Sequence, residues 1–263
     1  MKTKTLRLKD TQNERDYRRI PIDRVGVKNL RFPLRIRDRD SAEQSTVAVV
    51  SLAVDLPHHF KGTHMSRFVE VLHAHGNVLT VADIAAMPRE LLKKLDSEKA
   101  HVEFRFPYFR TKAAPATGAK GLIDYGVIFE VNAVKDNVDF VVTVEVPVTT
   151  LCPCSKAISA RGAHNQRGVV TFAVRFDEPV WIEDLIEIVE ASASCGLYSL
   201  LKRPDEKLVT ETAYDNPVFV EDLVRNVATR ARKHKHITWF RVEAENFESI
   251  HNHNAYAVVE MKG

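Results

Sequence analysis

Apolar and polar residues alternate over several stretches of the chain, with the two-residue period of a strand that buries one face. Residues 45–56 carry Val47, Val49, Val50, Leu52 and Val54, a β-branched run. Residues 138–148 set Phe140, Val142, Val144 and Val146 on one face, and 169–176 repeat the pattern with Val170, Phe172, Val174 and Phe176. Strands are also predicted over 25–36, 102–111, 122–134, 237–247 and 255–261. Elsewhere the period lengthens to that of a helix. Met65, Phe68, Val69 and Leu72 predict a helix over 64–75 that stops at Gly76, and Thr80 is suited to cap a second over 81–95. Ile182, Leu185, Ile186 and Val189 predict a helix over 181–195, ending at Gly196. Asn216 followed by Pro217 reads as an N-cap with proline at the first helical position, opening a helix to about residue 234 around Phe219, Leu223, Val224, Val227 and Ala231.

The order of these elements repeats. Residues 1–21 form a polar lead-in, 22–136 a first ββααββ unit and 137–263 a second, joined at the turn Lys135-Asp136-Asn137. The expected class is α+β, with antiparallel sheets and helices on one face. Alternating chain direction then fixes where the loops fall. In the second unit the loops at 149–168, 197–216 and 248–254 share one end.

Composition narrows the class of function. The chain has 263 residues, 44% of them hydrophobic, and 38 Lys+Arg against 35 Asp+Glu for a net charge of +3, as in an ordinary globular protein. The basic residues are dispersed and do not alternate with aromatics, so nucleic acid is not an expected partner. Residues 1–19 are charged without an apolar core, and no stretch approaches the roughly 20 apolar residues of a membrane span. Membrane is therefore not expected either. Three cysteines cannot build a disulfide framework, which points to a reducing, cytoplasmic setting.

Chemistry concentrates in the second unit. Its first loop reads Thr149-Thr150-Leu151-Cys152-Pro153-Cys154-Ser155-Lys156 and then Gly162-Ala163-His164-Asn165-Gln166-Arg167-Gly168. Thiolate and imidazole suit zinc and related divalent ions, but this spacing is not that of a four-ligand structural zinc site. An open catalytic site with two or three protein ligands, or a loop with incidental cysteines, remain as readings. The last loop supplies Glu248, His251 and His253; the two histidines, two apart, are expected to point to opposite faces, so that only one need face the site. The α–α loop supplies Lys202, Arg203, Asp205 and Glu206, and Glu221 lies in a first helical turn, where an acid also complements the dipole. Cys195 reads as buried filler. His58, His59, Lys61, His64 and Arg67 surround the start of the first helix, as a phosphate site or a solvated loop.

Pro147 to Lys156, Gly162 to Gly168 and the run Ile250-His251-Asn252-His253-Asn254-Ala255 together resemble the type IB GTP cyclohydrolase I family, and the likeness extends over nearly the whole chain. The resemblance implies a tunnelling fold, in which ββααββ units assemble into an oligomeric barrel with active sites at subunit interfaces, and a homo-oligomer, a tetramer. It implies conversion of GTP and water to 7,8-dihydroneopterin triphosphate and formate, the first step of folate biosynthesis. One divalent metal per site, zinc, manganese or iron, goes with that activity. By resemblance Cys152, His164 and Glu206 are metal ligands, with Cys154 as an alternative sulfur ligand or an acid/base thiol. Glu248, His251 and His253 complete the proton-transfer set, and Glu221 anchors the heterocycle. Lys61, His64, Arg67, Lys202 and Arg203 are candidates for the triphosphate. The alternatives are another tunnelling-fold enzyme giving a cyclic phosphate product, and a non-catalytic purine-binding protein.

Overall fold

The computed structural model describes residues 10–12, 14–39, 43–76 and 79–263. The first half runs β1 (Ile22–Arg37), β2 (Glu43–Leu56), α1 (Met65–Ala74), α2 (Val81–Leu95), β3 (Lys99–Ala113) and β4 (Lys120–Val134). The second runs β5 (Asn137–Leu151), α3 (Pro153–Ile158), β6 (Asn165–Phe176), α4 (Ile182–Glu190), β7 (Cys195–Gly196), α5 (Arg203–Asp215), α6 (Val220–Ala231), β8 (Ile237–Asn246) and β9 (Ala255–Lys262). The class is α+β, antiparallel with helices on one sheet face. Hydrogen-bonded neighbours follow the order β1-β2-β3-β4-β5-β6-β8-β9, with the short β7 pairing β5 off that path. Among the described residues no helix is long and apolar enough to cross a membrane.

Alternation becomes burial strand by strand. In β6, Val170, Phe172 and Val174 are fully buried while their neighbours remain partly exposed. Two compact units emerge from the packing. One comprises the described residues up to Arg35 with Val47–Phe104 and Glu130–Phe140; the other comprises Ile36–Thr46, Arg105–Phe129 and Val141–Gly263. In the first, Phe68 and Leu72 of α1 and Ile84, Met87 and Leu91 of α2 are buried. In the second, Phe172 of β6 meets Phe240 of β8 edge to face at 6.4 Å, and Leu185 and Ile186 of α4 and Leu223 and Val227 of α6 are fully buried. Each such side chain contributes about 1.5–3 kcal/mol through burial alone.

Thr80 caps α2 as its sequence suggests: Thr80 Oγ1 accepts the Asp83 N–H at 3.2 Å and Asp83 returns the bond to the Thr80 N–H at 2.8 Å. Three expectations fail in the second half. The helix over 181–195 ends at Glu190, and Cys195 lies in β7. The presumed loop 197–216 contains α5, a helix whose only buried side chains are Asp205 and Ala213, too weak an apolar face to show a helical period. Asn216 does not open α6. It closes α5, and α6 starts after Phe219.

Candidate active site

The site is built where β5 ends and β6 begins. Their last paired residues are Leu151 and Asn165; just beyond, the Cys152 N–H donates to His164 O at 3.1 Å, which pins both ends of the connecting loop. Cys152 caps α3, its sulfur accepting the Ser155 N–H at 3.4 Å, while Pro153 occupies a position where a missing N–H costs nothing. Ser155 Oγ donates to Cys152 O at 3.2 Å and accepts the His164 N–H at 3.1 Å. Cys152 is half-buried and Cys154 exposed. Lys156 extends over the Tyr214 ring, 4.3 Å from its centroid, and donates to Tyr214 O, fastening α3 to the end of α5.

His164 is the centre of the polar cluster. Its Nδ1 lies 3.0 Å from Gln166 Oε1 and 3.9 Å from Glu248 Oε2. Its ring centroid is 6.3 Å from that of His251, which stacks on His253 at 5.2 Å. The two histidines therefore do not diverge. They belong to the bent segment between β8 and β9, and a two-residue spacing puts side chains on one face even in a strand, so the expectation of opposite faces had the period inverted. Behind His164, Gln166 Nε2 donates to Thr150 Oγ1 at 3.0 Å, and both residues are buried.

The other loops arrive at the same end. Ser194 N–H donates to Thr149 O, Val218 N–H to Leu151 O and Phe247 N–H to Arg167 O, at 3.1, 3.0 and 2.9 Å. Asn216 Nδ2 donates to Ala193 O at 2.9 Å, holding the exit of α5 against the segment after α4. Glu221 is exposed in the first turn of α6. Asn246, 2% exposed, has a buried Oδ1 without a hydrogen-bond partner among the described residues. A β-carbon at residue 168 would come within 2.6 Å of that oxygen, so Gly168 makes room for it.

Asp205 has a different task from its neighbour. Its carboxylate accepts from Ala116 N, Thr117 N, Thr117 Oγ1 and Lys202 N at 2.7–2.9 Å, joining the β3–β4 connection to the start of α5. Burial works against its charge, but the bonds from Thr117, Lys202 and Ala116 outweigh it and hold its pKa down at about 2. Glu206, Lys202 and Arg203 are exposed in the same turn. Cys195, expected to be buried, is half-buried in β7 beside the Lys112–Glu190 pair, 2.7 Å apart, and desolvation pushes its thiol up.

The first unit treats its basic residues differently. Lys61 pairs with Glu14 at 2.6 Å, His64 approaches Asp10 at 3.4 Å, and Arg67 donates to Lys94 O at 3.4 Å. Among the described residues no three His, Cys, Asp or Glu side chains converge closely enough to hold a metal ion. Cys152, His164 and Glu206 thus do not form one cluster within the chain. A thiol and an imidazole held on adjoining strand ends nonetheless fit the chemistry of a divalent ion that takes remaining ligands from elsewhere.

A family model described as type I GTP cyclohydrolase folE2 matches residues 8–257. The chain belongs to the type I GTP cyclohydrolase FolE2 family. A GTP cyclohydrolase FolE2 of Akkermansia muciniphila is 66% identical over 256 residues, covering 96% of this chain and 97% of the relative. Another, of Methylococcus capsulatus, is 56% identical over 262 residues, 99% of this chain and 97% of the relative. Among solved structures, uricase from Arthrobacter globiformis superposes with a TM-score of 0.53 at 10% identity, covering 92% of this chain and 93% of that one. Urate oxidase from Bacillus sp. TB-90 gives 0.55 at 9% identity, covering 92% and 99%. These last two likenesses speak for the fold alone. In this FolE2 chain, sequence reasoning passed over Thr150, Ser155, Gln166 and Asn246. The signal for Gln166 was available, since a residue two beyond His164 at the start of a strand shares its face.

Proposed function

We propose that the chain carries out its family's reaction, the conversion of GTP and water to 7,8-dihydroneopterin triphosphate and formate, the first step of folate biosynthesis, as the type IB subtype with its Cys-Pro-Cys loop. The observation that carries this reading is the convergence of Cys152, His164, Glu248, His251 and His253 at one end of the second unit, under the loop pinned by Ser155. Cys152 and His164 would hold a divalent ion, zinc, manganese or iron; Glu206, which does not cluster with them within the chain, would be a further ligand only if metal binding draws it in. When bound, such an ion supplies hydroxide near neutral pH for attack on C8 of guanine.

The remaining steps belong to the side chains. His251 and His253, stacked beside His164, are placed to pass protons during opening of the imidazole ring, and Glu248 accepts or returns them. Cys154, exposed two residues from Cys152, offers a second thiol for acid/base work or as a sulfur ligand. Glu221, exposed in the first turn of α6, would accept paired N–H bonds from the guanidine-like edge of the base. Lys202 and Arg203 would meet the triphosphate; Lys61, His64 and Arg67, once released from Glu14, Asp10 and Lys94, are the further candidates and would come from a neighbouring copy. A homotetramer with sites at subunit interfaces would supply what one chain lacks. GTP and free thiols both suit the reducing cytoplasm.

The test is turnover of GTP with manganese or zinc, read as formate release and as pterin fluorescence after oxidation. Both signals are expected, and both should fall in Cys152→Ala and His164→Ala. If those variants keep turnover and metal content, the assignment of Cys152 and His164 is wrong.

A further inference from the structure

Buried amides need partners at both ends, because an unpaired polar atom in the interior loses its hydration without compensation. Gln166 is 7% exposed and Thr150 behind it fully buried, directly opposite each other in the β5–β6 register. Gln166 Nε2 donates to Thr150 Oγ1 at 3.0 Å, which turns Oε1 towards the His164 ring, 3.0 Å from Nδ1. The reverse polarity, Thr150 donating to the amide oxygen and the amide N–H donating to the ring, would leave a lone pair on Nδ1. That lone pair would face the Glu248 carboxylate oxygen 3.9 Å away. Two oxygen acceptors on one side of an imidazole call for an N–H there.

We propose that Gln166, backed by Thr150, is a positioning residue that holds His164 as its Nδ1–H tautomer, so that Nε2 presents its lone pair to the metal ion. A ring nitrogen can ligate only through a lone pair, and the bond made by the other nitrogen decides which one has it. The arrangement accounts for residues the metal reading leaves unused. Gln166 lies two beyond His164 because strand neighbours at that spacing share a face, and Thr150 precedes Cys152 by the same interval on the paired strand. The proposal rests on the reading of His164 as a ligand.

The test uses the full-length chain and zinc as the probe, with affinity measured by chelator competition. Gln166→Leu, which removes the acceptor, is expected to weaken zinc binding roughly 10- to 100-fold. Gln166→Glu retains an acceptor and has no donor when ionised, so it should stay within about threefold of the parent. Nitrogen-15 spectra of histidine-labelled protein, assigned with His164→Ala, should show Nδ1 protonated and Nε2 bare or metal-bound. Parental zinc affinity in Gln166→Leu overturns the proposal. So does a Gln166→Glu variant as weak as Gln166→Leu, or an Nε2–H signature for His164, since each means the amide donates to the ring. If Gln166→Leu does not fold, Thr150→Val, expected about threefold weaker, and the spectra of the parent protein decide. Unchanged zinc binding in His164→Ala overturns the ligand reading and this proposal with it, whereas loss there with none in Gln166→Leu overturns only the positioning role.

Discussion

The two halves of the chain share an order of elements and differ in what joins them. In the first half α1 passes to α2 through residues 75–80, and β3 to β4 through 114–119. In the second half the β5–β6 connection contains α3, and residues 191–219 between α4 and α6 contain β7 and α5. The added pieces carry Cys154, Lys202, Arg203 and Glu206, and each is fastened by buried or half-buried polar bonds from Ser155, Asp205 and Asn216. The frame is duplicated; the insertions bring part of the candidate chemistry, and Glu248, His251 and His253 come from the plain β8–β9 connection. Residue type alone does not mark a site. Lys61 and His64 of the first unit have carboxylate partners, whereas among the described residues no ion pair engages the Lys202 or Arg203 head groups.

The widest test of that contrast is catalytic. His164→Ala should lower kcat/KM for GTP by about 10³-fold or more, while His73→Ala, at the exposed end of α1, should leave it within about twofold; steady-state formate release distinguishes them. Equal losses would dissolve the distinction between the halves. The frame, in contrast, should respond alike in both. Phe68→Ala and Phe172→Ala each remove a fully buried ring and should each cost about 3–5 kcal/mol in denaturant unfolding.

Asp205 gives a smaller effect with a defined pH dependence. Its folded pKa, about 2, lies below its ordinary 3.8, so its stabilisation is fully present above about pH 4 and is lost as pH falls towards 2. Asp205→Asn should lower Tm by on the order of 5 °C at neutral pH, and thermal melts of variant and parent should converge near pH 2. A gap that persists there would mean the carboxylate's charge is not what holds α5. The least effect is expected at the surface. Lys202→Ala and Arg203→Ala should raise KM for GTP several-fold, about 1 kcal/mol each, with kcat little changed. A larger shift from Lys61→Ala would show that its pairing with Glu14 opens on substrate binding.

Much of the frame was legible because burial writes a period into the chain. Val170, Phe172 and Val174 alternate, and they are buried on one face of β6. The loop carrying Cys152 and His164 could be placed with those of Glu248 and His251 from chain direction alone. What escaped was whatever lacks an apolar stripe. α5 is predominantly polar on its surface and is held by the Asp205 carboxylate accepting from a distant loop, which no local pattern records. Asn216-Pro217 has the local chemistry of a helix start, yet Asn216 closes α5 and bonds Ala193 O, a contact 23 residues away. The stacking of His251 and His253 was within reach, since residues two apart share a face in extended chain; the expectation of opposite faces inverted that period.

By itself the sequence determined the α+β class, the repeated order of strands and helices, and which end of the second half gathers thiols, imidazoles and acids, since these follow from periodicity and chain direction. Only the tertiary structure decided that Asp205 is consumed as a clasp, that Gln166 and Thr150 stand behind His164, and that no three ligands meet within the described chain. Those outcomes depend on which polar atoms are denied water, and that is settled by packing between segments far apart in sequence.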